Sequence, residues 1–125
     1  MAYLNDLILD NGLAYLTANA ERLAILSSAP SSYADAVTKT IAYKDAPTVA
    51  PPADRTPNGR QVTVSAIADG VVDPGGGSAS GEVWALLDVT GTALLAWGDL
   101  GNDQLLVLGN TFTLTSFPIG IPDAA

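Results

Sequence analysis

The first patterned segment of the chain is residues 4–18, LNDLILDNGLAYLTA, whose hydrophobic spacing predicts a helix. At about 100° per residue, Leu9, Leu13 and Leu16 share one side, and other apolar residues lie nearly opposite. A helix that is apolar on two sides must be covered twice. Two arrangements stay open: the rest of the domain wraps the helix, or a neighbouring subunit covers one side. Gly12 predicts either a close backbone approach or a helix break.

Short apolar segments separated by Gly and Pro follow the helix and predict about six strands. They are residues 21–28, 37–43, 60–72, 81–100 as a hairpin turning at 89–91, 104–109 and 111–121. Gly91 is expected to supply a positive φ in the hairpin, and Pro118 and Pro122 to confine the last strand to an edge or a bulge. The pattern predicts one mainly β domain over residues 1–125: a β-sandwich or small barrel with an N-terminal α-helix and a β core at 60–121.

Residues 44–60, KDAPTVAPPADRTPNGR, contain four prolines and no apolar period. They predict an extended surface loop that reaches onto a neighbour, because loops of this length are usually functional. Arg55 and Arg60 flank the TPNG sequence in this loop, beside Asp54. Each arginine can form a local ion pair or bind an acidic patch on a partner, and both interpretations stay open.

The charge balance narrows the classes of partner. Thirteen acidic residues face five basic ones, for a net charge of −8. This balance argues against binding to nucleic acid or to an anionic membrane, since both require clustered Lys and Arg. Charged residues make up 14% of the chain, where about 25% is typical. The neutral surface this implies favours contact with another subunit over a lightly charged monomer.

No familiar catalytic, cofactor-binding or metal-binding motif is present. The chain has no cysteine and no histidine, which removes the commonest nucleophile–base pairs and metal ligands. The glycine-rich stretch at 73–81 has P-loop spacing at Gly76 and Gly81, but Glu82 stands where a phosphate-binding lysine is needed. We therefore expect a non-enzymatic protein without a cofactor, and interpret this stretch as a flexible loop that leads into a buried hairpin beginning at Trp84.

The segment GDLGND, which contains Asp99 and Asp103, offers closely spaced oxygen ligands of the kind that Ca²⁺ prefers. The spacing departs from the EF-hand pattern, because Gly101 interrupts the alternation of ligands. A solvated hairpin turn is the favoured interpretation. A glycan-binding or Ca²⁺-dependent binding module is kept as an alternative function.

Four segments together carry a family resemblance: LDNGLAYL, ADRTPNGRQVTV, GEVWALLD and the terminal FPIGIPDAA. In these segments the chain resembles small virion structural proteins of tailed bacteriophages. The resemblance spans most of the chain and includes no catalytic motif. It implies a decorating or minor component of the particle, often a cement protein that stabilises the capsid.

The residues and the resemblance lead to one functional expectation. The chain is expected to be made in the host cytoplasm and to act in the virion as a capsid decoration protein. Its expected partners are the major capsid protein or other virion subunits, and it is expected to form a homo-oligomer, with a trimer favoured. The candidate interface residues are Leu9, Leu13, Leu16, Arg55, Arg60 and Trp84. A tail, fibre or head–tail joining component is the alternative within the same class.

Overall fold

The computed structural model describes residues 6–72, 79–107 and 109–121, with every side chain in those ranges except those of residues 6–9, 79 and 101–104. The elements in these ranges are α1 (Asp6–Asn19), β1 (Arg22–Leu26), α2 (Tyr33–Lys39), β2 (Thr40–Asp45), β3 (Ala53–Asp54), β4 (Arg60–Val64), β5 (Ile67–Val72), β6 (Ala79–Asp88), β7 (Ala93–Leu106), β8 (Thr111–Leu114) and β9 (Phe117–Ile121).

The strands form two antiparallel sheets. The larger has the order β7-β6-β1-β2-β5-β8, and the smaller has the order β3-β4-β9. The strand pair β5–β8 continues into the strand pair β4–β9. Two segments of the chain, residues 65–66 and 115–116, pass side by side from one sheet to the other. The protein is therefore a single mainly β domain with an N-terminal helix, as predicted, and its two sheets are consistent with a β-sandwich.

The larger sheet has two differently covered faces. Its inner face carries Leu23, Ile25 and Leu86, which share the main core with Val62 and Val64 of the smaller sheet. On its outer face lie Ala24, Leu26, Val83, Ala85 and Leu87, which pack with Ala36 of α2. Alternate residues of β1 and β6 thus point to opposite faces and are buried on both, which explains their near-continuous apolar sequences.

The side of helix α1 that carries Leu13 and Leu16 is covered by its own chain, whereas Tyr15 is 54% exposed. Leu13 is 1% exposed and Leu16 is also buried, both in the main core. This corrects the expectation that these two leucines contact a neighbouring subunit. The side chain of Leu9 lies outside the described residues. The helix runs through Gly12 without a break, and apart from the adjoining helix backbone no atom lies within 4 Å of the position a Cβ would take there, so neither predicted role of this glycine holds.

Helix α2 replaces the first half of the strand predicted at 37–43. The Ser32 hydroxyl accepts a hydrogen bond from the Asp35 amide, and Lys39 donates to the Asp35 carboxylate at 2.8 Å. This N-cap and the ion pair four residues along the helix stabilise helical geometry, whereas the alternating sequence alone suggests a strand. Residues 37–39 are consequently helical, and the strand starts at Thr40.

The proline-rich segment 44–60 is packed along β4 rather than extended towards a neighbour. The Ala50 amide donates to the Thr63 carbonyl at 2.9 Å, and Val49 is buried in the core. From α1, the Thr17 hydroxyl donates to the Ala50 carbonyl at 3.0 Å. Since these bonds fix the segment to both the helix and the sheet, the expectation of a free arm is corrected.

Several predicted strand limits also change. The predicted strands 60–72 and 111–121 each divide into two, and residues 104–106 belong to the end of β7. In the β6–β7 turn the positive φ belongs to Thr92, at 51°, rather than to Gly91. The hairpin itself is confirmed, and so is the edge position of β9, where Pro118 lies opposite Thr63.

Candidate functional site

Trp84 lies on the inner face of β6, at the opening between β7 and β9. Its ring centre is 4.6 Å from that of Phe117. A Cβ on Gly98, its cross-strand partner, would lie 2.9 Å from the indole, so the ring covers that glycine closely. Trp84, Leu100, Leu114 and Phe117 help to line a cavity of about 270 Å³ there. The tryptophan predicted as an interface residue thus mainly closes the core at this opening.

The long strand β7 forms one edge of the larger sheet. It contains 14 residues and pairs only with β6 among the described strands. Edge strands expose unpaired backbone N–H and C=O groups and are usually protected by Lys or Pro. The sequence of β7 contains no Lys, Arg or Pro. Its outer edge therefore lacks these two forms of protection, and its irregular pairing with β6 is confined to the stretches on either side of residues 96–99.

Large apolar side chains are exposed along this edge. Trp97 is 46% exposed, Leu105 is 74% exposed, and Val107 follows directly after the strand. Trp97 lies opposite Ala85 and Asp99 lies opposite Val83, two residues that are buried on the outer face beside α2. Asp99 also borders the cavity next to Trp84. We define Trp97, Asp99 and the backbone of residues 96–99 as the β7 edge site. It combines an aromatic ring, a carboxylate and a free strand edge.

Sequence reasoning missed Trp97 because a near-continuous apolar strand predicts burial on both faces. The order of strands decides the matter, since β6 is flanked by β1 and β7 whereas β7 has a neighbour on one side only. The available signal was compositional: a 14-residue strand without a basic residue or a proline lacks the usual protection of an edge.

Arg60, a predicted interface residue, joins α1 to the smaller sheet. Its Nε donates to Asp10 Oδ1 at 2.7 Å, and its Nη1 donates to Asp54. These carboxylates, Asp10 first, raise the pKa of the Arg60 guanidinium above its ordinary value. The local ion pair is thus the interpretation that the structure supports for this arginine.

Arg55 also bonds within the chain, since its Nη1 donates to the Asn58 carbonyl at 3.0 Å. The other three cations pair with carboxylates: Arg22 with Asp45, Lys39 with Asp35 and Lys44 with Asp69. Because the chain has five Lys and Arg residues in total, every cation makes an internal polar contact. The surplus charge is therefore acidic, and Asp99 has no cationic partner within the described part of the chain.

The β6–β7 turn brings two further carboxylates together. Glu21 Oε1 accepts from the Thr90 amide at 2.8 Å, and Asp88 Oδ1 accepts from the Gly91 amide at 2.9 Å. The Gly91 amide, and then the Glu21 side chain, lower the pKa of Asp88. These contacts fix the turn, so the two carboxylates have a structural role.

The remaining predicted features are placed as follows. Residues 73–78 of the glycine-rich stretch lie outside the described residues, and β6 begins at Ala79. The GDLGND segment lies within β7 rather than in a hairpin turn, and the Asp103 side chain is not among those described. In the described ranges, no three Asp, Glu, His or Cys side chains are grouped to hold a metal ion.

Similar proteins do not identify a family for this chain. Comparison with protein-family models, with curated proteins and with solved structures found no match. Among the described residues, no helix is both long and apolar enough to cross a membrane.

Proposed function

We propose that this chain is a non-enzymatic structural subunit of a bacteriophage virion, most directly a decoration protein that binds the capsid shell. The observation that carries the proposal is the open edge of β7 with Trp97 and Leu105 exposed beside it. A strand edge without basic residues or proline, with large apolar side chains exposed beside it, is a hazard for a free monomer and an advantage for a subunit that docks. The resemblance to small virion proteins supplies the type of assembly.

The contact with the shell is proposed at β7, and Leu13 and Leu16 of α1 take no part in it. Apolar residues on two sides of α1 predict that this helix packs between subunits of a trimer. Because Leu13 and Leu16 are buried within the chain, that reason no longer applies to them. The β7 edge site offers the backbone groups and the exposed ring that a neighbouring virion protein can contact.

Quantitative mass spectrometry of purified virions tests the proposal. We expect many copies per particle, in a fixed ratio to the major capsid protein, and earlier loss of the genome on heating for particles that lack the chain. A few copies per particle would instead indicate a tail, fibre or joining component. Absence of the chain from purified particles would contradict the virion assignment altogether.

Two surface variants locate the contact. Trp97→Ser alters the β7 edge site, and Val71→Ser is its matched control, because both side chains are 46% exposed and Val71 lies on β5, away from β7. We expect Trp97→Ser to reduce the number of copies per virion and Val71→Ser to leave it unchanged. Equal occupancy for both variants would remove β7 from the interface.

A further inference from the structure

We infer that the outer edge of β7 pairs with an extended segment of a different protein, and that this segment places a Lys or Arg side chain beside Trp97 and Asp99. The inference deepens the proposed function by naming the chemistry of the partner, and it rests on that function for the identity of the assembly. Its physical basis is strand addition, in which backbone hydrogen bonds supply affinity and alternate side chains supply specificity.

The regular part of β7 defines where a partner strand can pair. Pairing with β6 is irregular between Leu86 and Leu87 and again between Gly81 and Val83. Between these two interruptions, residues 96–99 pair in unbroken register with residues 83–86 of β6. Bulges bend an edge away from partners, so this four-residue stretch is the part of the edge that presents regular backbone groups.

The side chains of this stretch specify the partner. Trp97 and Asp99 are two residues apart and lie opposite Ala85 and Val83, which are buried on the outer face. An added strand places one of its own alternate side chains within reach of both. A lysine or arginine there lays its methylene stem and its charge against the indole and donates hydrogen bonds to the carboxylate. A neutral amide can also donate to the carboxylate, but a cation adds attraction to both the carboxylate charge and the indole ring.

The charges exclude a second copy of the chain as the best occupant. A β7–β7 pairing of two copies brings no cation to Asp99, because the strand contains no Lys or Arg. Four of the five cations already pair with carboxylates, and Arg55 is held by the Asn58 carbonyl. Like charges along a shared ribbon are unfavourable. A strand of another protein that contains Lys or Arg can place a cation beside Asp99, whereas a second copy of this chain cannot.

The direct test uses the isotope-labelled chain and the synthetic peptide acetyl-Val-Lys-Val-Lys-Val-Lys-Val-amide. We expect the peptide to shift the amide resonances of residues 96–99 and to slow their hydrogen exchange. Two peptide controls separate the contributions: one has Glu in place of Lys, and one is N-methylated at alternate amides so that it cannot pair with a strand. Both are expected to bind at least about tenfold more weakly.

Protein variants complete the test. Asp99→Asn should lower the affinity for the peptide by about two- to fivefold, as for the loss of an exposed ion pair. Trp97→Ser should lower the same affinity by about two- to tenfold. Glu82→Gln is the matched control for charge, because Glu82 is exposed on β6 and makes no side-chain hydrogen bond within the described residues. Its peptide affinity should stay close to that of the unmodified chain.

Three results would overturn the inference. If the N-methylated peptide binds as well as the parent, no strand is added. Equal weakening by Glu82→Gln and Asp99→Asn would show attraction to the net negative charge alone. Equal binding of the Glu-containing and the Lys-containing peptide would show that no cation is needed beside Asp99. The copy number in virions is measured separately, so the proposed function and this inference can fail independently.

Discussion

The contact between Gly70 and Phe112 gives the sharpest prediction about the fold. The two residues are cross-strand partners on β5 and β8, and Phe112 is 3% exposed. A Cβ on Gly70 would lie 2.0 Å from Phe112 Cε1, whereas ordinary carbon–carbon contacts are about 3.5 Å. Alanine at position 70 must therefore displace the Phe112 ring, which is enclosed by other residues of the main core.

The magnitude follows from two opposing effects. Overpacking a core costs about 1–3 kcal/mol, and an overlap of this size belongs to the upper part of that range. Gly→Ala also restricts the unfolded chain, which returns about 0.4–1 kcal/mol. We expect Gly70→Ala to lower the free energy of unfolding by about 2 kcal/mol, measured by urea denaturation followed by circular dichroism. Phe112→Leu in the same chain should recover at least about 1 kcal/mol of that loss through coupling.

Gly12→Ala is the matched control, because it makes the same substitution at a site with no atom within 4 Å apart from the adjoining helix backbone. In the middle of α1 it should raise the free energy of unfolding by about 1 kcal/mol. The reasoning is refuted if Gly70→Ala stays within about 0.5 kcal/mol of the unmodified chain, or if the two alanine variants lose stability equally.

Three further predictions concern local structure. Removing the N-cap of α2 by Ser32→Ala should cost about 1 kcal/mol in urea unfolding, and an unchanged midpoint would contradict the cap. Thr92→Gly relieves a left-handed residue and should add about 0.5 kcal/mol; a loss would show that the turn needs threonine. The Lys39 ammonium and then the Ser31 amide lower the pKa of Asp35, so its contribution to stability is present above the unfolded pKa of about 3.9 and is lost as the pH falls through the folded value. Asp35→Asn should therefore lower stability at pH 7 and flatten the decline on acidification, and an unaltered pH profile would contradict this role.

The spacing of hydrophobic residues and the positions of Gly and Pro were enough to predict the mainly β class, the β6–β7 hairpin and the edge position of β9. These features depend on neighbours in sequence, such as the apolar run of β6 or the missing N–H of Pro118. The division of residues 60–72 at Ser65 was not predictable in this way. It depends on two strand pairs bending from one sheet into the other together, which is a property of the assembled fold.

The candidate site was harder to predict, for the same physical reason. The hydrophobic pattern of α1 correctly indicated that Leu13 and Leu16 are buried. It did not indicate whether the residues that bury them belong to the same chain or to a neighbouring subunit. Conversely, the apolar sequence of β7 resembles that of β6, although β7 lies at an edge and leaves Trp97 half exposed. Exposure follows from strand order, and strand order is fixed by long-range contacts.

Hydrogen exchange of the chain, measured free and bound to the particle, distinguishes docking through β7 from docking through α1. We expect the amides of residues 96–99 to exchange at least about tenfold more slowly on the particle, as for groups that gain hydrogen bonds, while those of α1 are unchanged. Protection of the exposed side of α1 with no change in β7 would contradict docking through the β7 edge.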